Sequence, residues 1–392
     1  MGSVHGAWGF IRDPLSILSV ISSAPPSLLF SALLAIAVGG FISLYLFLNL
    51  LAHHPRPPHN SEKTYLSIDS DGNPTPPAPL PDAFNPSSTP ILDISVIVPA
   101  YNESARLPGM LAEAITFLAS HYPNSWELLI VDDGSSDSTI STALEWAGKR
   151  LSLGELQPDR IRAIPLVKNR GKGGAVTHGM RHIRGRYAVF ADADGATKFS
   201  DLKTLMEKIQ EIEVDGHGIA IGSRAHMVNT DAVVQRSFIR NFLMHSFHTL
   251  LRTVGVRDIG DTQCGFKLFS RAAAEAVFSD LRTEGWIFDI EILLLARYKG
   301  IPVVEVPVSW HEVEGTKMNL VKDSVRMAWD LGMVRVSYAV GVYTIGEGGP
   351  GRGRRKSCEG GVVVGEKQNH EAQDGDNQDE VRNREQLNGR AK

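Results

Sequence analysis

Val189-Phe190-Ala191-Asp192-Ala193-Asp194-Gly195 is an apolar run that stops on two aspartates one residue apart. A buried strand ending this way aims paired carboxylates at one place, and hard oxygen ligands of that kind suit a divalent cation. The pattern is cheap on its own. Asp69-Ser70-Asp71 and Asp374-Gly375-Asp376 repeat it in stretches that read as unfolded. Only the surroundings separate a site from its decoys.

Outward from that run, strand-like and helix-like segments alternate from Asp93 onward. ISVIVPA (94–100) precedes a helix near Ala105–Ser120, and ELLIVDD (127–133) precedes one at Ser136–Ala147. IRAIPLV (161–167) leads to a helix from Gly173 to Ile183, and YAVFADA (187–193) to one from Phe199 to Ile212. GIAIGSR (218–224) is a fifth strand. Continuous apolar strands between amphipathic helices predict an α/β fold, a mainly parallel sheet covered by helices on both faces. No internal repeat is present, and neither G-x-G-x-x-G nor the P-loop pattern occurs.

The 392 residues hold one large domain with accessory segments. A net charge of -4 gives no sign of a nucleic-acid partner. Two cysteines, Cys264 and Cys358, make no disulfide framework and suit a reducing compartment. After a short N-terminal segment (1–26), residues 27–52 carry no charge. As a helix they would extend about 39 Å, enough for a hydrocarbon core of roughly 30 Å, so they read as a transmembrane anchor. A cleaved signal peptide fits poorly, because the run is too long and starts too late. Arg56 and Lys63 after the anchor outweigh Arg12 before it, which places the C-terminal bulk in the cytosol. A glycan on the sequon Asn102-Glu103-Ser104, in a strand-end loop, would be hard to tolerate. Residues 53–92 are dense in proline and read as an extended linker, 93–345 as the folded domain, and 346–392 as a disordered tail.

In an open parallel sheet, ligands bind where strands end. Four strand ends carry polar groups: Pro99-Ala100-Tyr101-Asn102-Glu103, Asp132-Asp133-Gly134-Ser135-Ser136-Asp137, Lys168-Asn169-Arg170-Gly171-Lys172-Gly173-Gly174, and Asp192-Ala193-Asp194. Each alone has a plain structural explanation, since Ser136 or Asp137 would cap a helix and the glycines would turn the chain. Together on one edge they carry more weight. VPAYNE, VDDGSSDST, NRGKGGA and the strand-ending DAD, in that order, resemble the family 2 glycosyltransferases of the GT-A fold over roughly residues 93–224. FADADGATKF, DTQCGFKLF, EGWIFDIEILLLARYKG and VSWHEVEGTKMN are similar to the members that glucosylate dolichyl phosphate.

The resemblance implies an inverting transfer of glucose from UDP-glucose to dolichyl phosphate at the endoplasmic reticulum membrane, in the service of protein N-glycosylation. It implies Mg²⁺ or Mn²⁺ at the leaving diphosphate, held by Asp194 with Asp192 near the ribose and metal. Asp133 and the Pro99, Tyr101 and Glu103 loop would hold the uridine, and Lys172 would add positive charge on the nucleotide side. Ala196 stands near where mannosyl relatives place a further polar ligand, which leaves the ion's remaining ligands open. A dolichyl phosphate has a second pKa of roughly 6, so at neutral pH it needs cations more than a base. Arg224, Arg236, Arg240 and Lys267 are the candidates, although Arg236 and Arg240, one helical turn apart, read equally as a solvated face. Asp289 and Glu291, catalytic candidates alongside Asp194 and Arg224, occupy the region where hydroxyl-acceptor relatives keep a catalytic base. Here they either act as that base or only orient the acceptor or a cation. Residues 236–252 and 320–343 interleave aromatic and basic side chains as bilayer-surface helices do, although the second reads nearly as well as a packed core helix. The alternatives are a mannosyltransferase using GDP-mannose and an inactive scaffold that kept the fold.

Overall fold

The computed structural model describes residues 24–229, 259–313, 320–346, 348–350 and 363–364. The expected anchor is one helix, α1 (Pro26–Leu51), with proline at its first position, where a missing N–H is harmless. It is long and apolar enough to cross a membrane, and protein does not cover its apolar surface. A small hairpin follows, β1 (Thr64–Tyr65) with β2 (Ala78–Pro79). The predicted alternation then appears as β3 (Leu92–Ala100), α2 (Leu107–His121), β4 (Trp126–Asp132), α3 (Thr139–Ser152), β5 (Ile161–Pro165), α4 (Lys172–Met180), β6 (Gly185–Ala191), α5 (Leu202–Ile212) and β7 (Ile219–Ser223). Beyond it lie β8 (Phe266–Ser270), α6 (Arg271–Phe278), α7 (Phe288–Lys299), β9 (Val303–Pro307), α8 (Leu320–Val340) and β10 (Val363–Val364).

The larger sheet runs β10-β9-β7-β8-β6-β3-β4-β5. All its pairings are parallel except those of β8, which is antiparallel to both β6 and β7. Both faces are covered. Ile97, Val131 and Phe190 pack on one side with Val176 of α4, Val277 of α6 and Leu294 of α7. Their strand neighbours Val96, Ile130 and Val189 point the other way, onto Leu111 of α2, Leu144 of α3 and Leu205 of α5. That double burial is why these strands are apolar without alternation. The chain steps outward from β3 to β4 and β5, then returns to β6 on the other side of β3. A crevice opens at the carboxyl ends of β3 and β6, where the order reverses.

Two segments differ from their composition. The proline-rich stretch is extended, yet it is docked along β5, the sheet's edge strand. Leu66 and Ala163 exchange backbone hydrogen bonds of 2.8 Å in each direction, and the Ser67 hydroxyl donates to the Ile161 carbonyl. Glu62 is fully buried and accepts hydrogen bonds from the Arg56 guanidinium and from the His59 and Val167 N–H groups. An edge strand exposes unpaired backbone groups, and this segment satisfies them. Val363 and Val364, within the tail read as disordered, pair with β9. The rest of that tail from residue 365, and residues 351–362, lie outside the described residues.

Candidate active site

The ends of β3 and β4 are laced together by short polar side chains. Asn102 adopts a left-handed backbone (φ 52°), and its Oδ1 accepts from the Ser136 N–H at 2.8 Å. The Ser135 hydroxyl receives the Asn102 N–H and donates to Asp132. Asp137 accepts from the Thr139 and Ser104 N–H groups, tying the β3 loop to the start of α3, whose N-cap is Ser138 and not Ser136 or Asp137. Pro99 pairs with Val131 just before β3 ends. Tyr101 projects outward at 40% exposure, and Glu103 is held by Arg106 through bonds of 2.7 and 2.6 Å.

The glycine loop folds back onto β4. Asp133 accepts the N–H groups of Arg170 (2.7 Å) and Gly171 (2.8 Å). Burial pushes its carboxyl up to about 6, against the opposing pull of those two donors. Gly171 has φ 88°, and a side chain there would meet the Glu284 carbonyl oxygen at 2.5 Å. The carbonyl of Glu284 accepts from the Gly174 N–H, and its carboxylate takes the Arg170 guanidinium (Nε to Oε1, 2.6 Å). Burial would raise the Glu284 carboxyl, but the His53 hydrogen bond and Arg170 hold it below the usual range.

This loop delivers Lys172 to Asp192, with Nζ 2.5 Å from Oδ1. Burial opposes the charge on Lys172, and Asp192 and Asp289 nevertheless keep its pKa above the ordinary value. Asp192 sits at the end of β6 against the backbone of Gly265, where an added Cβ would fall 2.0 Å from its Oδ2. Asp194 accepts the Ala196 N–H at 3.1 Å and lies 4.0 Å from Arg106 Nη1. Its carboxyl is pushed up by burial and by the neighbouring charge of Asp192. Among the described residues no group of three or more His, Cys, Asp or Glu side chains gathers as a metal cage. Two carboxylates in an open crevice still fit an ion such as Mg²⁺, which takes one or two protein carboxylates and completes its shell with phosphate and water. The decoy at Asp69 resolves as a turn, its Oδ1 accepting the N–H groups of Asp71 and Asn73. Asp374 and Asp376 lie outside the described residues.

On the other flank, Arg224 follows β7 and makes a two-pronged pair with Asp261, at 2.6 Å (Nε) and 3.0 Å (Nη2), beneath the Trp310 ring. Burial lowers the guanidinium pKa and Asp261 more than restores it. The expectation of an open cation at Lys267 is corrected. Its ammonium is fully buried, donating to Asp289 Oδ1 (2.5 Å) and the Cys264 carbonyl (2.6 Å) below the Phe190 ring. Burial raises the Asp289 carboxyl despite the two nearby lysines. Glu291 is likewise turned inward. It accepts from the N–H groups of Arg282 and Thr283, the Thr283 hydroxyl and the Tyr338 hydroxyl, and so ties α7 to α8. Two positions apart, the two acids face different neighbours, and both are buried because α7 is covered on nearly every side. Arg236 and Arg240, with residues 236–252, lie outside the described residues. Asp261, Arg106 and Glu284 were not singled out, although Asp261 and Glu284 open the quoted motifs DTQCGFKLF and EGWIFDIE.

The sequence matches the family described as Glycosyl transferase family 2 over residues 95–278. It is 49% identical over 309 residues to the dolichyl-phosphate beta-glucosyltransferase of Saccharomyces cerevisiae, covering 77% of this chain and 91% of that one. It is 39% identical to the Homo sapiens protein of the same name, covering 73% and 86% of the two chains. Among solved structures, it is similar to glucosyl-3-phosphoglycerate synthase from Mycobacterium tuberculosis in complex with UDP, with TM-score 0.43 and 18% identity, over 66% of this chain and 83% of that one. By its close sequence relatives, the chain is a family 2 glycosyltransferase and belongs to the dolichyl-phosphate β-glucosyltransferase family.

Proposed function

We propose that this chain transfers glucose from UDP-glucose to dolichyl phosphate with inversion, giving dolichyl β-D-glucosyl phosphate. A phosphate oxygen of the acceptor forms a bond to the anomeric carbon as the bond to UDP breaks, and the electron pair leaves on the diphosphate. The observation that carries the reading is the meeting of Asp133, Lys172, Asp192 and Asp194 at the switch-point crevice. In this reading the Pro99, Tyr101 and Glu103 loop and Asp133 hold the uridine, and Lys172 meets the nucleotide's negative charge. Asp192 and Asp194 would hold Mg²⁺ or Mn²⁺, which when bound neutralises charge on the departing diphosphate. Arg224 is the described cation for the acceptor phosphate, its side chain kept in place by Asp261. The phosphate is dianionic at neutral pH, so no residue need remove a proton from it.

The decisive experiment offers detergent-solubilised protein labelled UDP-glucose or GDP-mannose with dolichyl phosphate. Transfer from UDP-glucose alone is expected, and Arg224→Ala should raise the KM for dolichyl phosphate more than that for UDP-glucose. Transfer from GDP-mannose alone, or from neither donor, would overturn the reading.

A bilayer location is proposed on the same basis. Ala52, just past α1, packs in one cluster with Met327, Leu331 and Val334 of α8. Val325 and Trp329 of α8 are 64% and 63% exposed, an apolar surface suited to lipid beside the anchor. We place the catalytic domain on the cytosolic side of the endoplasmic reticulum membrane. Protease added to intact microsomes is expected to digest it and to find no glycan at Asn102. A protected, glycosylated domain would reverse the orientation.

A further inference from the structure

The segment that leaves the anchor and the loop that carries Lys172 meet on one side chain. Glu284 Oε2 lies 3.0 Å from His53 Nε2, the residue just beyond α1 and its C-cap Ala52. Its other oxygen, Oε1, takes Arg170 Nε at 2.6 Å. Arg170 also donates from Nη2 to the Arg56 carbonyl at 3.0 Å, so the same guanidinium touches the juxtamembrane segment twice, once directly and once through Glu284. The contacts extend to the loop's backbone. Gly174 donates to the Glu284 carbonyl, and Gly171 passes so close to it that no side chain would fit. Further along, the Glu62 carboxylate receives the Val167 N–H at 2.9 Å and its carbonyl meets His178 Nε2 at 2.7 Å, so the loop and its helix are braced at both ends. His53 is fixed in turn by Tyr343, whose hydroxyl receives its N–H at 2.9 Å.

The loop held this way contains what the donor side uses. The N–H groups of Arg170 and Gly171 are the ones that Asp133 accepts, and Lys172 is the ammonium on Asp192. Glu284 itself touches neither Asp192 nor Asp194 by any described hydrogen bond or ion pair. We propose that Glu284 is a positioning residue for donor binding, clamping the Arg170–Gly174 loop against the membrane-exit segment at His53. The inference rests on the reading of the crevice as a nucleotide-sugar site. It goes beyond that reading by making the anchor's exit a structural part of the donor site.

The test uses the full chain in detergent, with UDP and Mg²⁺ titrated by calorimetry and both substrate KM values measured. Glu284→Gln keeps the shape and removes the charge that holds Arg170. It is expected to weaken UDP binding and raise the UDP-glucose KM by about tenfold, with the dolichyl phosphate KM little changed. His53→Ala touches an exposed contact and should fold normally, weakening UDP by about threefold. The double variant should be no weaker than Glu284→Gln alone, because both changes act through one carboxylate. A variant that was merely less stable would show a smaller active fraction with both KM values unchanged. That result for Glu284→Gln, or wild-type UDP affinity in His53→Ala, would overturn the proposal. Failure of the wild type to bind UDP at all would overturn the site reading and the proposal with it.

Discussion

Asp194→Asn is expected to lower glucosyl transfer by about a hundredfold or more while the protein stays folded. The carboxylate is partly buried, and its closest described cation is Arg106, at 4.0 Å. It therefore contributes little to the fold through ion pairing, and an isosteric amide keeps the Ala196 N–H contact. Removing one of two adjacent like charges relieves repulsion, so the melting temperature should hold or rise. The loss falls on the chemistry, because an amide oxygen is a poor substitute for an anionic ligand to a hard ion. Chelation should silence the wild type and Mg²⁺ or Mn²⁺ should restore it. Asp71→Asn serves as the control, since only the backbone N–H of Asp71 is used in its turn. Full transfer by Asp194→Asn would remove it from the metal site.

Lys267→Met is expected to cost about 3–5 kcal/mol of stability, because it strands the Asp289 carboxylate without its partner. For a domain of this size that is a fall in Tm of roughly 10 °C. Neither group has solvent to turn to, with Lys267 at 0% and Asp289 at 3% exposure. The double variant Lys267→Met with Asp289→Leu should recover most of that loss, since an apolar pair of similar volume needs no desolvation. It should also retain measurable transfer if the acceptor is a dianionic phosphate that needs no base. A folded double variant with UDP still bound and no transfer would place Asp289 in the chemistry. Equal stability of the Lys267→Met single variant would show that the pair does not hold the core.

What the sequence made legible was local. Apolar runs such as ISVIVPA and YAVFADA announced buried parallel strands, since only strands covered on both faces are apolar throughout. The strand-end motifs announced themselves because polar groups stop such runs abruptly. What stayed hidden was decided by distant partners. Lys267 and Asp289 were each visible as charged residues in a motif, but nothing near either one says that they neutralise each other across the gap between β8 and α7. The burial of Glu62 depends on Val167, far away on the sheet edge, so the proline content around it reported an extended chain and not a docked one. Strand β8 was missed for a related reason. Lys267 interrupts its apolar run, FKLFS, and its antiparallel direction is set by the neighbours it joins.

That reversed strand has a consequence for how the fold can be varied. Because β8 runs against β7, the chain departs from Ser223 and re-enters at Phe266 on the same rim of the sheet, with Ile221 directly opposite Lys267. A parallel neighbour would have forced the connection to cross the full depth of the domain before re-entering the sheet. Here the connection between them begins and finishes on the rim where β6 ends, so its length is uncoupled from the pairing of the strands. A connection that starts and ends on one rim can be lengthened or shortened while the strand pairing beneath it, and the Asp192 end of β6 with it, stays as it is.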